Sequence, residues 1–288
     1  MSRDVRVRCV SADGQRSVAA MVDQLGDPTA VIEGRVWVER QRVTDPQQVL
    51  APGVTIEVHA ARPGTEHARV VAEQGGLVVA YKPAALPSEP DRSGHASLVG
   101  EIAQILGVAQ VHAVSRLDVG VSGLVLLSVG HAAHQHATAL GDRGGIARRY
   151  VAIAERAPAA AALVATVDGR AAQTRAAVVA TAPAHHHPRG GSVSPVLLRL
   201  DPVTGRKHQL RVHAGPLLGD RAHGGVRRLT RADGAVIELP RVMLHAARVE
   251  IADPGAEPWI VTEPVAEDLV QVWCAVGGSA TDVDRAVG

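Results

Sequence analysis

The sequence is poor in aromatic residues and in lysine. Phenylalanine is absent, and only two Tyr and three Trp occur among the 288 residues. Valine, leucine and alanine must therefore fill the core, and each aromatic side chain is worth inspecting. Lysine occurs only at positions 82 and 207, so arginine carries nearly all the positive charge. We interpret this bias as a feature of the coding sequence and not as a functional signal.

Cysteine and long apolar runs are scarce as well. Cys9 and Cys274 lie at opposite ends of the chain without a metal-binding spacing, which favours free thiols. No apolar run reaches the length of a membrane span, and the first residues do not have the pattern of a signal peptide. The sequence therefore predicts a soluble, cytoplasmic protein without a membrane partner. We expect a monomer.

The net charge is small, at +1. Arginine is nevertheless clustered in the second half of the chain, at Arg148–Arg149, Arg206–Arg211 and Arg227–Arg231. A local basic face can neutralise phosphates even when the whole protein is nearly neutral. On charge alone, an ordinary solvated surface is an equally good interpretation.

Composition and periodicity indicate a packed chain with two parts. Hydrophobic residues make up 46% and charged residues 20% of the sequence, as in globular proteins. Residues 1–62 form a small unit with a predicted helix at Ser17–Leu25 between short strands. Ala60–Glu66 contains Pro and Gly and is a predicted linker. Residues 69–288 form the larger unit.

Strands outnumber helices in the larger unit. The predicted helices are Ser97–Leu106, His131–Leu140 and Glu267–Val276. The predicted strands are Val70–Val71, Leu77–Ala80, Gly123–Ser128, Tyr150–Ala154, Ala161–Val167, Arg175–Ala180, Val196–Leu200, His208–His213, Val242–Ile251 and Trp259–Thr262. Thr181–Ser194 is predicted to be a loop. Because the two element types rarely alternate one for one, we expect an α+β fold with a mixed, largely antiparallel central sheet.

Two segments carry residues suited to a functional site. Asp118 is followed by a glycine-rich turn and a buried strand, which can present the carboxylate at the mouth of a cleft. From Lys207 onward the residues alternate, so a strand would place Gln209 and Arg211 in one row of donors. Each segment taken alone is also compatible with a solvated surface.

Two further segments have a similar ambiguity. Tyr150 follows Arg148–Arg149 at a strand start, where its ring can stack on a nucleobase or simply pack in the core. Lys82 precedes Pro83 at the end of another strand, where it is either functional or a solvated residue of a structural turn.

Taken together and in this order, the segments resemble the RluA family of pseudouridine synthases. The motifs of that family have counterparts at Tyr81–Ala85, Ser115–Leu124, Arg148–Tyr150, Thr204–His213 and Leu244–Ala246. The likeness covers about residues 69 to 275. Residues 27–58 resemble the second half of an S4 RNA-binding domain, which often precedes this catalytic domain, although residues 17–27 contain no Lys or Arg.

The resemblance implies that the protein isomerises uridine to pseudouridine in ribosomal or transfer RNA, without a metal or a cofactor. Asp118 would be the nucleophile at ribose C1′, Arg211 would pair with Asp118 and aim it, and Tyr150 would pack against the target base. Arg116 would fill the gap left by the flipped nucleotide, and Leu210 would line the uracil pocket. The remaining implied substrate-binding residues are Lys82, His208 and Gln209.

The sequence departs from the family pattern at three places. Ser115 replaces a usual His, Val121 replaces a usual Thr, and the chain after His213 is about four residues shorter by our alignment. These differences concern the shape of the pocket more than the reaction type. They also leave open an alternative, a catalytically inactive RNA-binding protein on the same fold.

A metal-dependent hydrolase is a second alternative, because the chain contains 14 His. Two groups stand out, His131–His136 and His185–His187. The first lies on an alanine-rich helix and the second in a Pro/Gly-rich loop, without the converging carboxylates that metal sites use. We therefore expect surface histidines and not metal ligands.

Overall fold

The structure is a computed structural model that describes residues 7–11, 13–25, 30–31, 35–39, 41–43, 45–59, 67–90 and 96–288. The chain divides into two compact units, Met1–Thr65 and Glu66–Gly288. The linker predicted at residues 60–66 lies outside the described residues. Within the described part of the chain, no helix has both the length and the apolar character that a membrane crossing requires.

The first unit combines one helix with short strands. Its strands are β1 Val7–Ser11, β2 Arg16–Ser17, β3 Val36–Val38, β4 Gln41–Arg42, β5 Val49–Leu50 and β6 Thr55–His59. Helix α1, Val18–Gln24, begins after Ser17, whose side chain accepts a hydrogen bond from the backbone of Ala20. Strands β1, β6, β3 and β4 form one sheet in that order, and β2 pairs with β5. Met21 of α1 and Ile56 of β6 lie in the same core.

The second unit contains the other elements. Its helices are α2 Leu98–Leu106, α3 His131–Asp142, α4 Gln209–His213, α5 Glu267–Ala275 and α6 Ala280–Val287. Its strands are β7 Arg69–Gln74, β8 Leu77–Lys82, β9 Val111–Ala113, β10 Ser122–Val129, β11 Ile146–Ala154, β12 Ala162–Val167, β13 Arg170–Thr181, β14 His185–His186, β15 Ser192–Val193, β16 Val196–Pro202, β17 Arg228–Thr230, β18 Val236–Glu238, β19 Leu244–Ile251 and β20 Trp259–Thr262. A short 3-10 helix covers Arg221–His223.

Ten strands of this unit form one sheet. Eight of them follow the order β12-β13-β16-β11-β19-β10-β8-β7, with β20 added on β19 and β9 on β10. Only β10 and β19 pair in parallel, and the other pairs are antiparallel. The predicted α+β class with a mixed, largely antiparallel sheet is therefore confirmed.

Alternating side chains of β11 separate two layers of the core. Val151 and Ile153 pack with Trp273 of α5 and Val283 of α6. Tyr150 lies on the other side and packs with Leu210 of α4. This period of two is the pattern of a strand buried on both faces. Helices α5 and α6 thus cover one face of the sheet at β11, and the opposite face, which also carries α4, supports the cleft described below.

The parallel contact between β10 and β19 depends on a glycine. Gly123 has φ +116°, and a Cβ there would lie 2.2 Å from the carbonyl oxygen of Ala246. Beside it, Ser122 Oγ lies 2.9 Å from Nδ1 of His245, which is fully buried. Burial, followed by the positive charge of Arg241, lowers the pKa of His245 to about 3. This close contact fixes the start of β10, directly after the turn that carries Asp118.

The structure corrects two of the secondary-structure predictions and adds one helix. His208–His213 is not a strand, because His208 has φ 58° and α4 follows it. The loop predicted at Thr181–Ser194 contains the hairpin of β14 and β15. The helix α6 had not been predicted, although Ser279 and Asp282 form a capping box at its start.

Candidate active site

Asp118 lies in a turn held by a second segment of backbone. The backbone N–H of Val121 donates to the carbonyl oxygen of Asp118 at 3.0 Å, which closes the turn before β10. The buried Ser88 hydroxyl donates to the carbonyl oxygen of Leu117 at 2.9 Å and accepts from the N–H of Leu117 at 3.0 Å. The N–H of Ala85 donates to the carbonyl oxygen of Val119 at 2.7 Å. The segment after β8 therefore clamps the turn on both sides of Asp118.

Lys82 is part of this clamp. Its ammonium donates to the carbonyl oxygens of Pro83 at 2.8 Å and Leu86 at 2.7 Å, and lies 3.4 Å from that of Val119. The Lys82 side chain is fully buried. Burial and, to a smaller extent, the positive charge of Arg241 lower its pKa to about 7, although the negative charge of Asp118 acts in the opposite direction. Neither surface nor an unused donor remains for a substrate. Within the described structure, Lys82 therefore contacts the backbone of the turn and does not line the cavity.

Arg211 joins Asp118 to a second carboxylate. One terminal nitrogen of its guanidinium donates to Asp118 Oδ2 at 2.8 Å. Nε and the other terminal nitrogen donate to the two carboxylate oxygens of Asp220, at 2.7 Å and 2.6 Å. The pKa of Arg211 is raised, and the hydrogen bonds to Asp220 are the largest cause. Burial lowers this pKa, whereas the hydrogen bond to Asp118 raises it further. The result is an Asp–Arg–Asp chain with fixed geometry.

Sequence reasoning missed Asp220. Its side chain is only 1% exposed, so its charge is compensated inside the protein and not by water. The preceding Gly219 allows its backbone to pass close to the backbone of Arg241, because a Cβ at Gly219 would lie 1.7 Å from the carbonyl oxygen of Arg241. The Gly-Asp pair was the only local signal, and it did not by itself point to Arg211.

Gln209 holds the loop before α4. Its side-chain nitrogen donates to the carbonyl oxygen of Gln173 and to the hydroxyl of Thr174, both at 2.9 Å. Its side-chain oxygen accepts from the hydroxyl of Thr204 at 2.8 Å and from the N–H of Arg206 at 3.0 Å. All of its hydrogen-bonding capacity is thus used within the protein. The row of exposed donors predicted from a strand is wrong, and Gln209 has no donor free for a substrate.

The apolar side of the site is formed by Tyr150 and Leu210. They are 8% and 7% exposed and belong to one core cluster with Val121 and Leu244. Burial raises the pKa of the Tyr150 hydroxyl, which stays neutral at physiological pH. Their surfaces face the same cavity as Asp118. A flat ring beside a carboxylate can pack against a planar base.

His208 and Arg116 lie farther out. His208 Nε2 is 3.6 Å from Asp118 Oδ1, and its ring meets the ring of His223 edge-on at 5.2 Å between centroids. The guanidinium of Arg116 does not contact Asp118 and is bound instead to the Glu89 carboxylate at 2.7 Å. The Arg116 side chain is 66% exposed, so it lies at the rim.

One cavity of about 1090 Å³ is lined by Asp118, Arg211, Tyr150 and Leu210, among other residues. Its basic lining residues are Arg116, Arg148, Arg206, Lys207, His208 and Arg211. Arg148 was not among the predicted substrate-binding residues, and its buried Nε has no hydrogen-bond partner within the described residues. The cavity exceeds a typical small-molecule pocket and is basic, which suits a nucleotide that is still part of a chain.

The predicted surface location of the histidines is wrong for His185, whereas His186 beside it is exposed. His185 is 5% exposed, and its Nδ1 lies 2.7 Å from the carbonyl oxygen of Pro183. His134 on α3 contacts Ser128, and His136 contacts Asp253. Among residues 67–90 and 96–288 and the described parts of the first unit, no three His, Cys, Asp or Glu gather as metal ligands.

Comparison with known proteins places this site in a family. The family profile for RNA pseudouridylate synthase matches residues 76–215, which include Asp118, Tyr150 and Arg211. Ribosomal large subunit pseudouridine synthase D of Vibrio cholerae is 25% identical over 276 residues, 85% of this chain and 84% of that protein. tRNA pseudouridine synthase C of Salmonella typhi is 38% identical over 86 residues, but the match spans only 33% of that protein.

A solved structure has the same fold. Human RNA Pseudouridylate Synthase Domain Containing 4 superposes with a TM-score of 0.54 at 19% identity, covering 72% of this chain and 92% of that one. At 19% identity, this likeness shows the fold alone. The chain is thus similar to the RluA family of RNA pseudouridine synthases over most of its length.

Proposed function

We propose that this protein isomerises uridine to pseudouridine in structured RNA and that Asp118 carries the reaction. The single observation that supports this most is the Asp118–Arg211–Asp220 chain at the base of a basic cavity that also presents Tyr150. Relatives that are named for ribosomal RNA and for transfer RNA are both similar to this chain. The substrate is therefore an RNA of one of these two classes.

The chemistry requires one bond to replace another. The N1–C1′ bond of uridine breaks, the uracil turns within the site, and a C5–C1′ bond forms. The hydrogen on C5 is lost and N1 gains one, so the product is an isomer. As the base departs, C1′ becomes electron-poor, and the Asp118 carboxylate adds to the sugar or stabilises its charge. Arg211 fixes the carboxylate on the side facing the cavity.

The other residues of the cavity position the nucleotide. The target base must leave the helical stack before its glycosidic bond is accessible. Tyr150 and Leu210 offer the apolar surface on which the everted uracil packs while it turns. Arg116 at the rim fills the gap that the nucleotide leaves, and His208 and Arg148 face its phosphates.

The first unit is proposed to be an S4-like appendage that contributes to RNA binding. The support is the sequence likeness of residues 27–58 together with a small α+β unit. α1 has no basic residue in its last turn. Contacts from this unit to RNA would therefore involve its strands and loops more than α1.

Replacing Asp118 by Asn tests the proposal. The amide preserves the size of the side chain but removes the nucleophile, so pseudouridine formation should vanish while RNA binding persists. The matched control is Asp142→Asn, at the exposed end of α3, which should leave activity unchanged. Activity retained by Asp118→Asn would refute the assignment. Inactivity of the wild-type protein on every RNA would instead favour a silent RNA-binding protein.

The substrate RNA is identified by comparing cells that contain the gene with cells that lack it. Pseudouridines are mapped across all RNAs in the presence and absence of the gene, and the lost positions give the substrate. Complementation with Asp118→Asn should not restore these positions.

A further inference from the structure

A small four-stranded sheet beside the cleft carries an unusual concentration of arginine. We propose that this accessory module, defined as residues 183–193 and 221–238, is a second RNA-binding surface that holds the phosphate backbone flanking the target uridine. The inference rests on the proposed function, because it assigns to the same RNA a contact outside the cavity. It concerns strands β15, β14, β17 and β18, which pair in that order.

The module is connected to the cavity by direct contacts. His208 lies 3.6 Å from Asp118 and packs edge-on against His223, which belongs to the 3-10 helix at the start of the module's second segment. Just after that helix, the carbonyl oxygen of Gly224 accepts a hydrogen bond of 3.0 Å from the Arg189 guanidinium. A path of side chains thus leads from the reacting carboxylate to the hairpin of β14 and β15.

The sheet of the module has one buried and one exposed face. Leu229 and Ile237 are paired across β17 and β18 and are buried in the main core with Trp273. The next positions, Arg228 opposite Glu238, point away from this core and are exposed. A strand alternates its side chains, so the core side fixes which residues face solvent.

The charge of the module is far from balanced. It contains five Arg against two carboxylates, Asp233 and Glu238, whereas the whole chain has a net charge of only +1. Arg231 is paired with Asp233. Arg189, Arg221 and Arg227 are exposed and form no ion pair within the described residues. Unpaired guanidinium groups on a fixed frame are suitable ligands for phosphate oxygens.

The module is also held rigidly against the main sheet. The buried Glu155, directly after β11, accepts a hydrogen bond of 3.2 Å from the N–H of Val226. Its other carboxylate oxygen lies 3.4 Å from Nε2 of His187, a close approach without the alignment of a hydrogen bond. One carboxylate thus lies against both segments of the module and is hydrogen-bonded to the second. A preformed surface loses little entropy when it binds, which favours a fixed RNA contact.

Phosphate binding by this surface predicts a particular kinetic and salt signature. Contacts to the backbone outside the cavity bind the ground state and the transition state equally, so they lower KM without changing kcat. Each neutralised phosphate contributes roughly 0.7 to 0.9 to the slope of log affinity against log salt. RNA is favoured over an acidic protein because the surface continues from the cavity.

The test uses the full-length variant Arg189→Gln/Arg227→Gln/Arg228→Gln. The matched control is Arg143→Gln/Arg170→Gln/Arg175→Gln, three exposed arginines that form no ion pair in the part of the chain that the structure describes. Binding is measured on an unmodified transcript of bacterial 23S ribosomal RNA over a range of salt concentrations. We expect about a tenfold or greater loss of affinity and a salt slope smaller by roughly 2 to 3, with the control near wild type.

Activity separates this inference from the proposed function. On an RNA that the wild type modifies, the module variant should have a higher KM and a kcat within about twofold of the wild-type value. On a minimal RNA hairpin that fills only the cavity, the wild type and the module variant should be equally active. The double variant Arg227→Gln/Arg228→Gln, which keeps the Arg189–Gly224 contact, should show a smaller loss of the same kind. Affinity equal to wild type, or a loss no greater than that of the control, would overturn the inference. If the wild type binds the transcript but forms no pseudouridine, the proposed function fails while the binding comparison still decides the role of the module.

Discussion

Arg211 is bound to Asp220 by two hydrogen bonds, 2.7 Å and 2.6 Å long, and to Asp118 by only one, at 2.8 Å. Asp220 therefore fixes the guanidinium plane, and the remaining nitrogen of the fork is aimed at Asp118. Asp220 is also the most deeply buried of the three side chains, at 1% exposure against 13% for Arg211 and 25% for Asp118. The position of the Asp118 carboxylate is thus fixed through Arg211 by Asp220.

Asp220→Asn tests this relationship. The amide can accept only one of the two hydrogen bonds, so Arg211 loses its fixed plane and Asp118 its fixed direction. We expect kcat to fall on the order of 10- to 100-fold with little change in KM, because RNA binding does not involve Asp220. The measurement is steady-state pseudouridine formation on an identified RNA. Asp142→Asn, at the exposed end of α3 in the same unit, is the control, and an equal effect on KM and kcat would contradict a positioning role.

Glu89 restrains Arg116 at the rim of the cavity. Their ion pair is partly exposed, with 44% of the Glu89 side chain accessible, so it is weak enough to exchange for RNA phosphates. Glu89→Gln should improve RNA affinity about two- to fivefold, as expected for the loss of a surface ion pair that competes with binding. The check is a double-mutant cycle with Arg116→Gln. A gain of the same size in the Arg116→Gln background would mean that Glu89 acts on the RNA directly and not through Arg116.

Gln209 should act on the shape of the loop. Replacing it by Ala leaves the N–H of Arg206 and the hydroxyl hydrogen of Thr204, both part-buried, without their acceptor, which costs roughly 1–3 kcal/mol. We expect a lower urea midpoint and a higher KM, because Arg206 and Lys207 lose their fixed positions. Gly205→Ala in the same loop is the control, since a Cβ there meets no atom within 4 Å. Unchanged stability in Gln209→Ala would show that the loop does not depend on this side chain.

His245 makes stability depend on pH. Its pKa is lowered from the ordinary value of 6.5 to about 3, so the folded protein holds His245 neutral while the unfolded chain protonates it below pH 6.5. The contribution of His245 is therefore complete above pH 6.5 and is lost as the pH falls towards 3, by roughly 1 kcal/mol per pH unit. Urea unfolding of wild type and His245→Gln between these pH values gives the difference. Parallel curves for the two proteins would contradict the assignment.

Gly123 provides a test of the sheet itself. A methyl group at this position would lie 2.2 Å from the oxygen of Ala246, and φ +116° is unfavourable for any other residue. Gly123→Ala should therefore destabilise the second unit by several kcal/mol, on the order of the largest single-residue effects. Expression yield and thermal unfolding report the loss. A melting temperature close to that of wild type would mean that β10 and β19 can separate without cost.

Several features of this protein follow from local sequence alone. Ser97 before an apolar period of helical spacing predicts α2, which the structure confirms with Ser97 as the N-cap. The continuous apolar run after Gly123 predicts a buried strand, and β10 is one. The order of the motifs was sufficient to identify the family. Ser279 and Asp282 offered an equally local signal for α6, which had been overlooked.

Other features are decided only by contacts between distant segments. The alternation after Lys207 is compatible with a strand, but the chain forms helix α4 from Gln209 onward. The side chain of Gln209 is held there by hydrogen bonds to residues 173 and 174, which are distant in sequence. Lys82 was expected at the substrate, and three carbonyl groups hold it beneath the turn instead.

The sequence by itself determined the chemistry of this protein, because carboxylate, guanidinium and aromatic side chains are recognisable by type and order along the chain. The tertiary structure alone decided which of these groups touch. Asp118 and Arg211 are 93 positions apart and are joined only in the folded chain, where the turn before β10 and α4 line the same cavity. Local propensity acts over a few residues, whereas the partner of a buried charge is selected by the fold as a whole, since an unpaired charge is costly only once water is excluded.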